Sequence, residues 1–184
     1  MTKRTREADR SPWARLTGFV YLTYFLTAFG AAFFENRGLA AIGELGNVMG
    51  YLLYATVTLL LYDLFKPVDK RLSLVAALMS FAGCVRGVVG ALHLPTYHVD
   101  ALFFFGPYCV LIGILILGSK FLPHVLGTLM VLAGLGWLLY LIPAFGKHIV
   151  TGVEVLGVAA EGLLMLWLLI KGVNVQKWQK QARG

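Results

Sequence analysis

The sequence predicts an all-α integral membrane protein: a six-transmembrane-helix bundle with both termini in the cytoplasm. Three observations predict it. Apolar residues make up 59% of the 184-residue chain and mean hydropathy is +0.77, against roughly 45–50% apolar residues in soluble domains. They gather in long runs, and about 20 apolar residues at about 1.5 Å each span a hydrocarbon core of roughly 30 Å. Basic residues crowd into alternate gaps between the runs, which is the positive-inside pattern.

The runs are Leu16–Phe34, Ile42–Phe65, Leu72–Leu94, Ala101–Gly118, Val125–Ile142 and Ile149–Ile170. Lys3, Arg4, Arg6, Arg10 and Arg15 precede the first, a segment too long in its apolar part for an ordinary signal peptide. Lys66, Lys70 and Arg71 separate the second and third runs, Lys120 the fourth and fifth, and Lys171, Lys177, Lys180 and Arg183 follow the sixth. The remaining gaps hold only Arg37 and Lys147. The net charge of +7 is thus a topology signal with some pull toward anionic lipid, and no nucleic-acid partner is implied. Residues 1–14 form a basic N-terminal segment, 15–171 the helical domain and 172–184 a basic tail, with membrane lipid as the expected surroundings.

Pro67, Pro95, Pro123 and Pro143 stand at run boundaries, where a missing N–H costs little, whereas Pro107 lies inside the fourth run and predicts a kink or break. Gly46 with Gly50 and Gly83 with Gly87 have GxxxG spacing, which predicts close packing of the second and third helices. Cys84 and Cys109 read as small buried apolar residues, and no spacing suggests a metal or another cofactor. His93, His98 and His148 with Asp100 lack ligand spacing, and Trp13 and Trp178 read as interface anchors.

Ionisable residues inside a membrane cost at least about 2.5–3.5 kcal/mol and need a partner or a purpose. Three stand out: Arg86 in the third run, and Glu154 and Glu161 in the sixth. Counting residues puts Arg86 roughly 20 Å from the cytoplasmic boundary, between Glu161 at roughly 15 Å and Glu154 at roughly 25 Å. If the third and sixth helices touch, Arg86 pairs with one glutamate, and the other carboxyl is left to favour its neutral form, able to donate a proton. These three residues are the catalytic candidates.

Helical spacing places further polar groups on inward stripes. Thr17, Tyr21, Tyr24, Ala28, Ala31 and Glu35 share one. Gly43, Asn47, Gly50, Tyr54 and Thr58 form a second, and Gly83, Arg86, Gly87, Gly90 and His93 a third. Together they predict a polar-bottomed pocket in an aromatic-rich bundle. Its binding candidates are Tyr24, Asn47, Tyr54, His93, Tyr108 and Trp137, with Phe104 beside them.

The second half reads FFFGPYCVLIGILILGSKFLPHVLGTLMVLAGLGWLLYLIP and closes with EGLLMLWLLIKGVNVQKW. With SKFLPHVLG, VLAGLGWL and the first half's LYDLFKPVDKRLSLVAA, the chain from Ala14 to Trp178 resembles a bacterial membrane family catalogued as domain of unknown function four-three-eight-six. The resemblance implies an all-helical membrane fold and no established activity. It implies that Arg86 and Glu161 occupy positions where the family carries these residue types. Gly-Pro-Tyr around Tyr108 departs from the family's Gly-x-His pattern. Three functions therefore stand open. One is binding or acid–base transformation of a small lipophilic, lipid- or isoprenoid-like molecule. The others are a proton-coupled small-solute transporter and a non-catalytic partner or sensor subunit.

Overall fold

The computed structural model describes residues 10–95 and 99–183, with side chains 10–11 and 143–149 outside the description. Lys3, Arg4, Arg6 and His98 therefore lie outside the described residues, as do the side chains of Arg10, Lys147 and His148.

Among the described residues the chain is helical throughout, without strands. The helices are α1 (Arg10–Asn36), α2 (Ala40–Phe65), α3 (Lys70–Ala91), α4 (Leu102–Gly118), α5 (His124–Tyr140), α6 (Pro143–Ile170) and the short α7 (Val175–Arg183). Local chemistry sets their ends. Gly38 and Gly172 take positive φ of 78° and 66°, turning the chain after α1 and after α6. The Asp69 side chain accepts from Leu72 N at 2.9 Å and starts α3, and Asn174 does the same for Lys177 N at 3.0 Å to start α7. Pro123 precedes α5 and Pro143 opens α6, positions where no backbone donor is lost.

Four helices are long and apolar enough to cross a membrane: α1, α2, α3 and α6. Large apolar side chains remain exposed on every one of them, Phe19, Leu52, Val85 and Val155 among them, as a lipid-facing surface requires. The length and apolar character of these four helices are those of membrane-spanning helices. The fourth and fifth runs become helices of 17 residues each, at the short end of the roughly 17–25 that a crossing takes. The break expected at Pro107 does not form, and α4 runs unbroken through it.

The six long helices form a ring in chain order. Each packs on its neighbours in sequence, and α1 closes the circle against α6. Short loops impose this order, because consecutive helices must lie antiparallel and in contact. One end of the ring, here called basal, gathers the α2–α3 turn, the α4–α5 turn and α7. Phe65 stacks on Phe121 there, and Trp178 Nε1 donates to Leu64 O at 2.9 Å. Gln181 accepts from Lys120 N and donates to Gly118 O, both at 3.1 Å. The tail is thus a docked helix, and Trp178 is buried within the protein rather than an interface anchor. Lys66 pairs with Asp63 at the same end, the local ion pair that their spacing suggests.

Glycines set the tightest backbone-to-backbone contacts, though at other places than the GxxxG pairs. On α4 and α5, Gly113 faces Gly127 and Gly106 faces Gly134, so closely that an added methyl at 113 would lie 2.7 Å from Gly127 O. A methyl at Gly18 would lie 2.7 Å from Leu169 Cα, at the α1–α6 closure. Gly83 instead seats the Phe105 ring of α4, Gly87 seats the Tyr51 ring of α2, and Gly50 has open space beside it. Thr58 and Ser80 add a 2.5 Å hydroxyl bridge between α2 and α3.

Gly113→Val should therefore pry α4 from α5 and lower stability by about 1–3 kcal/mol. Gly162→Ala, with nothing within 4 Å, should be nearly neutral. Thermal unfolding of the two variants in detergent checks the contrast.

Candidate functional site

Inside the ring, α1, α2, α4 and α6 bring a carboxyl and four phenols together. Glu161 lies on α6 one turn after Gly157, against whose bare backbone the Trp137 indole of α5 packs. The Tyr21 hydroxyl of α1 donates to Glu161 Oε2 at 2.5 Å, and the Tyr54 hydroxyl of α2 donates to the same oxygen at 3.2 Å. The Cys109 thiol of α4 points at Oε1 from 3.7 Å. Both carboxyl oxygens thus face side-chain donors.

Tyr54 is the hub of the aromatic packing. Its ring meets Tyr24 at 4.8 Å, Phe105 at 5.3 Å, Tyr21 at 5.8 Å and Tyr108 at 5.9 Å, at steep angles. The Tyr108 hydroxyl is buried and finds no hydrogen-bond partner among the described residues.

Above this cluster a cavity of about 290 Å³ runs toward the other, distal end of the ring. Glu161 and Tyr54 form its floor, and Tyr24, Tyr51, Phe105 and Trp137 its walls. Asp100, Ala101 and Leu102, at the start of α4, form its rim. The Asp100 carboxylate accepts from Leu102 N at 2.9 Å, which holds it at that rim. A second cavity of about 310 Å³ adjoins the first, sharing Tyr51, Asp100 and Ala101 and adding Asn47, Arg86, Gly87 and Gly90.

Of the residues predicted for the site, Glu161, Tyr24, Tyr54 and Trp137 line the first cavity, and Tyr108 is buried beside Tyr54. Asn47 and Arg86 line the second, where Asn47 donates to Glu35 Oε1 at 2.7 Å. Phe104 lies with Arg86 in an apolar groove on the outer face of α3 and α4.

The predicted Arg86–glutamate pair does not form among the described residues. The reason is topological: in a ring built in chain order, α3 stands across from α6 and does not pack on it. Arg86 instead donates from Nε to Val99 O at 2.6 Å. Glu154 is exposed on the outside of α6 and makes no hydrogen bond or ion pair among the described residues, so it is not part of the cluster. His93 also leaves its stripe: it caps α3 with φ of +51°, is exposed, and meets Glu44 at 3.0 Å.

Sequence reasoning missed Tyr51, Phe105, Cys109 and the role of Asp100 as rim. Tyr51 stands three residues before Tyr54 and four after Asn47, a helical spacing that could have found it. Phe105 and Cys109 are four apart on α4, and nothing separates them from the rest of that apolar run.

Residues 90–172 match the family model of domain of unknown function DUF4386. The resemblance read from the second half is thereby shown over that span, which includes Tyr108, Trp137 and Glu161 and begins after Arg86. An uncharacterized protein of Archaeoglobus fulgidus is 29% identical over 127 residues, covering 66% of this chain and 78% of the relative. No solved structure matches. The DUF4386 match carries no activity, so chemistry has to come from the side chains.

Tyr21→Phe leaves the floor carboxylate short of its closest donor and should cost about 1–3 kcal/mol. Adding Glu161→Leu removes the partner as well, so the pair should show a coupling of about 0.5–3 kcal/mol in a double-mutant cycle by chemical denaturation.

Proposed function

We propose that this chain is a six-span protein of the cell membrane, with both termini cytoplasmic, that binds a small, largely apolar molecule with its polar group at Glu161. The observation that carries this reading is the cavity itself: aromatic walls, one hydrogen-bonded carboxyl at the floor, and an opening at the distal end. Its size, about 290 Å³, sits at the lower end of small-ligand pockets, which begin near 300 Å³. Aromatic surface supplies affinity for the apolar body, and one buried polar group orients the ligand.

The orientation rests on charge. Lys66, Lys70, Arg71, Lys120, Lys171, Lys177 and Lys180 gather at the basal helix ends, turns and α7, while Arg37 follows α1 and Lys147 stands in the second turn of α6, both at the distal end. With the basal end cytoplasmic, the cavity faces the outside of the membrane. Binding is favoured over turnover because the nearest acid–base partners of Glu161, Tyr21 and Tyr54, both spend their hydroxyls on it. A purely structural role for the charged residues loses support, since the Arg86 clamp it needs is not formed.

Mass spectrometry of small molecules that co-purify with the protein in mild detergent tests the reading. A defined compound should accompany the parent and be lost from folded Glu161→Gln and from Ala101→Trp, which fills the rim. A parent that carries only bulk lipid, and whose melting temperature no lipophilic compound raises, would overturn it.

A further inference from the structure

The first cavity has a charge pattern that narrows its ligand. Resting on the pocket reading above, we propose that the occupant is an organic cation, an amine or quaternary ammonium on an apolar body. The floor and the rim each carry a carboxylate, Glu161 and Asp100, and among the described residues the lining contains no Lys, Arg or His. Between them stand five aromatic side chains, Tyr24, Tyr51, Tyr54, Phe105 and Trp137.

Each of these features favours positive charge for its own reason. An aromatic face carries a negative quadrupole and attracts a cation within about 6 Å of its centre, worth about 0.5–1 kcal/mol at exposed sites and about 2 or more when water is excluded. A carboxylate drawn into such a space is costly unless a positive charge compensates it. Tyr21, Tyr54 and Cys109 give Glu161 hydrogen bonds but bring no positive charge. The nearest candidate, Arg86, lines the adjoining cavity, and its Nε is committed to the Val99 carbonyl. A cation seated among the rings would supply the compensating charge at the floor and pass Asp100 on its way in.

An anionic or neutral ligand meets the opposite conditions. An anion would approach two carboxylates with no basic side chain in the described lining to receive it. A neutral molecule would use the rings without using either charge. The adjoining cavity, with Arg86 and Asn47, is where an anion would be drawn, so the two classes separate in space as well as in affinity.

The experiment is calorimetric titration of the full chain in detergent with three probes of one shape class. Benzyltrimethylammonium is the cation, its carbon isostere neopentylbenzene the neutral control, and benzylphosphonate the anion. Benzyltrimethylammonium should bind at least about tenfold more tightly than neopentylbenzene, which is about 1.4 kcal/mol. Glu161→Gln and Asp100→Asn should each weaken the cation at least fivefold while leaving the neutral probe within about twofold. Asparagine keeps the acceptor that holds Leu102 N, so the second variant separates charge from folding. If the neutral or anionic probe binds as tightly as the cation and Ala101→Trp abolishes that binding, the cation proposal falls while the pocket reading stands. If no probe saturates the folded parent, both fall together.

Discussion

A carboxylate inside a ring of helices can draw on no backbone donor, because every interior N–H is already used in its own helix. Its hydrogen bonds must come from side chains, and most of the interior of this protein follows from that need. Glu161 takes donors from Tyr21 on α1, Tyr54 on α2 and Cys109 on α4. Three helices are thereby tied to a fourth through one functional group. The phenol rings that deliver these donors are bulky, so they also fill the middle of the ring. Tyr54 does both, bonding the acid and touching four other aromatic rings.

Glycines join the helices of the ring in two ways, against backbone and against aromatic rings. Paired glycines bring α4 and α5 together backbone to backbone, and Gly18 lets α1 close on α6. Gly157 lets Trp137 pack closely on α6 one turn from Glu161. Gly83 and Gly87 work differently, seating the Phe105 and Tyr51 rings where other glycines meet backbone. The first cavity is lined from α1, α2, α4, α5 and α6, and the second from α2, α3 and the residues that lead into α4. Aromatic rings border both cavities, and α4 runs past them without a break.

Opposite charges are kept apart by the same architecture. Arg86 sits at the distal cavity with its Nε on a carbonyl, and Glu161 sits at the floor of the other with phenols. Compensation within the protein is local and by hydrogen bond rather than by a salt bridge across the ring. An arrangement of that kind leaves two sites of opposite sign, side by side, sharing Asp100 and Tyr51 as a common wall.

The sequence by itself determined the helical class, the order of the helices and their approximate ends, because run length, proline and polar punctuation act locally. It also picked out Glu161, Tyr24, Tyr54 and Trp137, since an acid or an amphipathic ring in an apolar run stands out chemically. It overreached for Arg86, Glu154 and His93. Depth and periodicity place a residue on its own helix and say nothing about which helix stands opposite. It took the tertiary structure to show that α3 does not pack on α6, that Glu154 faces outward, and that the basic tail folds back as α7. Cys109 and Phe105 were invisible for the same reason: each resembles its apolar neighbours in sequence, and only the closure of the ring gives either one a partner.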